Sequence, residues 1–210
     1  HISFLHKEGE TSSDVFGIGD MIRYSDEDGR PTLFAERTDY GLQIGARRDA
    51  GAENAYWRVA RWLLPCFVIV PTAPGNVSRI NLFIPIDVEN CWWYRIRWHQ
   101  DRPLTAAELD SYRDVGEDYA PLVPGSYLPR GSRKNDYLQD RALQRRASFT
   151  GIRSAQLQDL AVQESQGRVH DRSREKLMPS DMPIAQCRRM LLEAVRTIKA
   201  SGIAAVRQPP

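Results

Sequence analysis

Apolar and polar residues alternate along the middle third of the chain, from about Thr32 to Trp98. The alternation places Leu42, Ile44 and Ala46 on one face of a strand. Residues 79–87 and 91–98 predict two further strands, which form a hairpin around residues 88–90. The pattern therefore predicts a curved antiparallel sheet in this third of the chain.

The last third has the spacing and the end signals of helices. Thr105 followed by Glu108 forms a capping box at the start of a short helix. Further helices are predicted over 154–166 and 180–200, the first of them capped by Gly167. The longer helix carries an apolar stripe, which consists of Ile184, Cys187, Leu191, Val195 and Ile198. Strands followed by helices favour an α+β fold over a wound parallel sheet.

Composition and charge exclude several classes of partner. Apolar residues make up 41% of the 210 residues, and 29 basic and 27 acidic residues leave a net charge of +2. This balance gives no electrostatic case for binding nucleic acid or an anionic membrane. The longest apolar run, Trp62–Pro71, is interrupted by Pro65, fits a buried strand and is shorter than the ~18 residues of a membrane span. The widely spaced Cys66, Cys91 and Cys187 predict buried thiols in a reducing cytoplasm.

Four histidines are the first candidates for metal chemistry. His1 and His6 are five residues apart, so on a regular helix their rings would point about 140° away from each other. They could share a metal only where the helix ends or bends between them. Taken alone, the pair favours two unrelated surface histidines. His99 is interpreted as a surface residue at a strand end, and His170 as a local hydrogen-bonding group.

A long string in the second half of the chain changes this interpretation. It consists of Asn135-Asp136-Tyr137, Asp140-Arg141, Gln144, Ser148-Phe149-Thr150-Gly151-Ile152, Gln158-Asp159-Leu160-Ala161-Val162-Gln163-Glu164-Ser165-Gln166-Gly167, Asp171-Arg172-Ser173 and Glu175. The string resembles the oxygenase subunits of the phthalate 4,5-dioxygenase branch of the Rieske ring-hydroxylating oxygenases. The opening His1-Ile2-Ser3-Phe4-Leu5-His6 resembles the histidine motif of the same family. Thr38–Gly41 and Ile84–Asp87 also match family positions in the right order, and the resemblance extends to about residue 200.

The resemblance implies a mononuclear Fe(II) held by His1, His6 and Asp159. Two imidazoles and one carboxylate occupy one face of an octahedral iron and leave positions open for O2 and water. The implied fold is an α+β helix-grip domain of the START/SRPBCC type, with the iron beneath the sheet. It would span residues 1–205 as a catalytic domain, with 206–210 as a tail.

Departures from the family pattern concern the electron supply. The chain has no Cys-x-His and Cys-x-x-His pair, so the Rieske [2Fe–2S] cluster is expected in an N-terminal domain that this chain lacks. Because the chain opens at His1 and not at Met, we expect it to be a fragment. The resemblance implies electrons from NAD(P)H through a flavin and iron–sulfur reductase or a ferredoxin, and assembly as a homotrimer.

Three functions remain open on the sequence. The first is dihydroxylation of a phthalate- or benzoate-like ring, and the second is monooxygenation, such as aryl O-demethylation. The third is a metal-free helix-grip module that binds a hydrophobic ligand. Arg47 and Arg61 lie in predicted strands and could bind a substrate carboxylate, or they could be exposed strand residues. Glu164, five residues after Asp159, is interpreted as lying outside the ligand set.

Overall fold

The computed structural model describes residues 5, 23–24, 27–72, 75–113 and 120–202. They form two compact units: unit 1 takes its described residues from 1–22 and 101–170, and unit 2 from 23–100 and 171–210. No helix within these described ranges has the length and apolar character that crossing a membrane requires. The predicted extent of the catalytic domain, 1–205, remains a prediction, and the predicted tail at 206–210 lies outside the described residues.

Unit 2 is built on a six-stranded antiparallel sheet whose strands follow one another in chain order. The strands are β1 (Thr32–Thr38), β2 (Gly41–Asp49), β3 (Ala55–Leu63), β4 (Phe67–Val70), β5 (Ser78–Pro85) and β6 (Cys91–Trp98). The predicted sheet and its final hairpin are thus confirmed. The apolar run Trp62–Pro71 belongs to two strands and not to one, because Pro65 has no N–H to donate and lies in the turn between them.

Helix α4 (Met182–Ser201), the last helix along the chain, packs on one face of this sheet. It ends at Gly202, whose φ of 70° is the left-handed conformation that closes many helices. Met190 meets Leu42 and Trp62 in a buried core, with Cys187 packed against it. A sheet covered by the C-terminal helix confirms the predicted α+β helix-grip class.

The side of α4 that packs on the sheet differs from the predicted apolar stripe. Pro183 and Met190 are its buried residues, and Cys187 packs against the core beside them. The remaining stripe residues stay between 37% and 47% exposed; they are Ile184, Leu191, Val195 and Ile198. The apolar side of the helix is therefore wider than its contact with the sheet.

Two ion pairs tie α4 to the rest of unit 2. Arg188 donates through both of its terminal nitrogens to Glu175, and the Nη2–Oε1 distance is 2.8 Å. Arg37 of β1 lies 2.6 Å from Glu193. The Arg188–Glu175 pair is partly buried and joins the segment before α4 to the second turn of the helix. The Arg37–Glu193 pair joins the helix to strand β1.

Register divides the sheet into an inner face, which carries α4, and an outer face. Directly opposed residues of antiparallel strands share a face. One row therefore crosses the inner face from β2 to β6 through Leu42, Trp62, Val68, Asn81 and Arg95. Strand β6 inverts the usual pattern: its inner residues include arginines, while its outer residues are apolar and 39–50% exposed, namely Trp92, Tyr94, Ile96 and Trp98.

The described residues of unit 1 form three α-helices and a small core. They are α1 (Ala106–Arg113), α2 (Arg141–Arg146) and α3 (Ala155–Ser165). The predicted capping box is present, since Thr105 Oγ1 accepts from the Glu108 N–H and Glu108 accepts from the Thr105 N–H. Ala120, Ile152 and Leu157 form the buried core beside α3.

Truncating Leu42 should destabilise unit 2 much more than truncating a leucine on the solvent side of α4. Leu42 is fully buried, so Leu42→Ala should lower the free energy of unfolding by about 2–5 kcal/mol. Leu192 is 57% exposed, so Leu192→Ala should change it by about 0.5 kcal/mol or less. Urea denaturation of both variants measures the difference, and equal losses would contradict the assigned core.

Candidate functional site

Of the three predicted iron ligands, the structure describes one, Asp159. Asp159 is half-buried in the first half of α3. His1 and His6 lie outside the described residues. Among the residues that are described, no group of three or more His, Cys, Asp or Glu side chains could hold a metal ion. The structure therefore positions the carboxylate and leaves the two imidazoles as predictions.

Helix α3 is anchored on the side opposite Asp159. Its N-cap, Ser154, accepts from the Leu157 N–H, and the Leu157 side chain lies in the unit 1 core. The side chain of Gln158 is 1% exposed and donates from Nε2 to the Ile152 carbonyl at 2.6 Å. At about 100° per residue, Asp159 projects about 200° from Leu157. The carboxylate therefore points away from the unit 1 core.

The loop before α2 approaches the core side of α3 closely. A Cβ added at Gly131 would lie 2.6 Å from the Leu157 side chain, so this position accepts only glycine without a shift. Tyr137 packs against the same core, beside Leu160 and Ala161. Its hydroxyl donates to Glu164 at 2.8 Å. Glu164 thus binds a tyrosine of the same unit.

Three consecutive residues of this loop have left-handed backbone conformations. The φ angles are 49° at Asp136, 55° at Tyr137 and 58° at Leu138. Such conformations cost L-residues about 1–2 kcal/mol each. The Ser132 carbonyl accepts from the N–H groups of Asn135 and Tyr137, which holds the turn in place.

The environment of Tyr137 raises the pKa of its phenol to about 12. Burial contributes most, followed by the hydrogen bond to Glu164 and the negative charge of that carboxylate. The neutral phenol is therefore the form that the folded protein stabilises.

Arginines gather on the inner face of the sheet. Arg48 and Arg58 lie on this face, as do Arg79, Arg95 and Arg97 of β5 and β6. Burial lowers the pKa of Arg58, and the positive charges of Arg79 and Arg48 lower it further, against a raising influence of Tyr56. No carboxylate within the described ranges contributes to this shift. Arg58 is therefore a desolvated cation with cationic neighbours.

Arg48 has an unused donor in the same region. It is 7% exposed, and its Nε donates to the Asp28 carbonyl at 3.1 Å. Its Nη1 is buried and has no hydrogen-bond partner in the described part of the chain. A buried donor without an acceptor costs about 1–3 kcal/mol, which an anionic ligand would recover.

The two arginines predicted from the sequence lie on the opposite face. Arg47 and Arg61 are exposed residues of β2 and β3, and their register places them on the outer face. Their role in substrate binding stays a prediction. Sequence reasoning missed Arg48 and Arg58, although the period of two could have found them: Arg48 shares its face with Leu42 and Ile44.

The remaining histidines have local surroundings. His99 follows β6, is half-buried and donates from Nε2 to the Gly75 carbonyl at 3.0 Å. His170 is half-buried just before the short helical turn Arg172–Arg174. Neither belongs to a metal-binding cluster of described residues.

Comparison with known proteins points to oxygenases. The family described as LigXa C-terminal domain like matches residues 17–208. The phthalate 4,5-dioxygenase oxygenase subunit of Pseudomonas putida is 30% identical over 209 residues, which cover 95% of this chain and 46% of that protein. The 3-chlorobenzoate-3,4-dioxygenase oxygenase subunit of Comamonas testosteroni is 28% identical over 219 residues, covering 96% and 49%. The chain spans about half the length of these curated relatives.

Alkaline titration should show the environment of Tyr137, which raises the pKa of its phenol through burial first and the bond to Glu164 second. An unfolded tyrosine titrates near pH 10, so the preference of this environment for the neutral phenol contributes its full stability below about pH 10. That contribution is lost as the pH rises through the folded pKa of about 12. The ultraviolet absorbance of phenolate should contain one late step that disappears in Tyr137→Phe. Tyr94→Phe serves as the control, and a late step that survives in Tyr137→Phe would refute the assignment.

Proposed function

Because this chain belongs to the LigXa C-terminal domain-like family, we propose that it is the part of a Rieske oxygenase that holds the mononuclear iron. The resemblance to Rieske oxygenase subunits is confirmed by the comparisons. The observation that carries the proposal is the match to the phthalate 4,5-dioxygenase oxygenase subunit, which covers 95% of this chain at 30% identity. Hydroxylation of an aromatic acid is the proposed activity of the intact protein.

The proposed ligands are His1, His6 and Asp159. A carboxylate on a well-anchored helix suits this set, because two imidazoles and one carboxylate leave positions open on iron. Bound iron would supply the activation of O2. The chain's own contribution is to hold Asp159 in a constant direction, through the buried Leu157 and Gln158 on the same helix.

We also propose that the inner-face arginines receive the carboxylate of the substrate. The two relatives are named for phthalate and 3-chlorobenzoate, both of which are aromatic acids. A desolvated guanidinium whose neighbours are cations is stabilised by an anionic ligand. Arg58 and Arg48 meet this description better than Arg47 and Arg61, whose side chains are exposed on the outer face.

The electron supply and the assembly belong to the same proposal. Electrons would come from NAD(P)H through a reductase or ferredoxin and a [2Fe–2S] cluster outside this chain. The intact protein would be a cytoplasmic homotrimer. Product analysis with the intact protein separates dihydroxylation from monooxygenation, since a cis-diol forms only in the first.

Removing the Asp159 carboxylate should abolish iron binding. The unchanged chain, reconstituted anaerobically with Fe(II) and desalted, should retain about one iron per chain. Asp159→Ala should retain much less, because a three-ligand site loses its only anionic donor. Asp110→Ala removes an exposed aspartate from α1 and should bind iron normally. Elemental analysis measures all three. Equal iron contents in the unchanged chain and in Asp159→Ala would reject the ligand set, and an unchanged chain that retains no iron would favour a metal-free module.

Neutralising Arg58 should weaken the binding of aromatic acids. Arg58→Gln should raise the dissociation constant of phthalate about 10- to 100-fold, the loss of one charge-assisted hydrogen bond. Dimethyl phthalate carries no charge, so its affinity should change little. Arg61→Gln is the matched control on the outer face. Isothermal titration calorimetry measures each pair, and an equal effect of the two substitutions would contradict the inner-face site.

A further inference from the structure

We propose that Tyr137 is a positioning residue for Asp159, acting through its hydrogen bond to Glu164 on α3. The inference rests on the proposed function, because it assigns a task to residues around the proposed iron ligand. It concerns unit 1 alone. The tyrosine itself does not touch iron or substrate in this proposal.

The argument begins with the two sides of α3. Leu157, Ala161 and Glu164 are three or four residues apart and lie on one side of the helix. Asp159 lies on the opposite side, about 200° from Leu157. Any rotation of the helix about its axis therefore moves the carboxylate by the same angle. The contacts on the core side decide where the carboxylate points.

Different contacts hold the two halves of the helix. The first half is held by the Ser154 cap and by the buried bond from Gln158 to the Ile152 carbonyl. The second half is held by the packing of Leu160 and Ala161 on the unit 1 core, which Tyr137 also contacts, and by the bond from Tyr137 to Glu164. Asp159 lies between these two sets of contacts, so both are needed to fix the helix against rotation and tilt.

The backbone at Tyr137 indicates that this placement has a purpose. Three successive left-handed residues persist only where the surroundings determine them, and such strain gathers at functional sites. The Asn135 side chain supports the turn by accepting from the Ser132 N–H and donating to the Arg130 carbonyl. The strained turn delivers the tyrosine hydroxyl to Glu164.

Cobalt binding tests the inference without any assay of activity. The unchanged chain is titrated with Co2+ alone, and the visible d–d absorption gives both the dissociation constant and the geometry of the ligands. Tyr137→Phe should weaken binding about tenfold, as changes around metal ligands do, and should shift the absorption bands. Glu164→Gln keeps an acceptor for the tyrosine hydroxyl, so it should bind within about twofold of the unchanged chain.

Two controls separate positioning from general stability. Tyr94→Phe removes a hydroxyl from an exposed ring in unit 2 and should leave the titration unchanged. Asp140→Ala removes the N-cap of α2, which accepts from the Ala142 and Leu143 N–H groups, and so destabilises unit 1 while leaving the Tyr137 hydroxyl and Glu164 in place. Its cobalt affinity and spectrum should match those of the unchanged chain.

The outcomes distinguish this inference from the proposed function. If the unchanged chain binds no Co2+, the proposed metal site is wrong and the inference is overturned with it. If the unchanged chain binds Co2+ and Tyr137→Phe binds it equally well with the same spectrum, only the positioning role is overturned. An Asp140→Ala variant that loses affinity as Tyr137→Phe does would also overturn it, since stability alone would then explain both.

Discussion

Directly opposed residues of antiparallel strands share one face of a sheet, and this constraint governs unit 2. Once Leu42 and Trp62 pack beneath α4, every residue in register with them must lie on the inner face. The same row ends at Asn81 and Arg95, so polar residues enter the face that carries the apolar core. A shift by one residue in any strand would exchange the two sets. The register of the strands therefore determines both the apolar core beneath α4 and the polar residues that β5 and β6 place on the inner face.

Arg58 and Arg48 carry electrostatic costs on the inner face that an anionic ligand would offset. A guanidinium removed from water loses hydration that nearby cations cannot replace. Arg58 has this problem, and Arg48 adds a buried donor that no described acceptor meets. In the proposed function, the task of unit 1 is to hold the Asp159 carboxylate in a constant direction. A small core, the buried Gln158 and a strained turn are the features of unit 1 that would serve this task.

Local signals in the sequence predicted well where the strands and helices lie. They predicted less well which side of each strand or helix packs against other elements. Alternation located the strands, and the Thr105, Ser154 and Gly202 signals located helix ends, because both depend on neighbouring residues only. Period alone could not decide which side of α4 meets the sheet, whereas in β2 it groups Arg48 with the apolar residues Leu42 and Ile44. The apolar run Trp62–Pro71 was expected to fit one buried strand, and Pro65 divides it between β3 and β4. The iron ligands came from a resemblance, and of the three only Asp159 lies among the described residues.

The exposed apolar residues on the outer side of β6 affect the behaviour of the protein in solution. Indole, phenol and branched aliphatic groups on its outer side meet solvent where most sheets present polar groups. A surface of this kind binds phenyl resin and fluorescent hydrophobic dyes, and it draws copies of the chain together as concentration rises. The colloidal stability of this chain therefore depends on the side of the sheet that takes no part in the proposed chemistry.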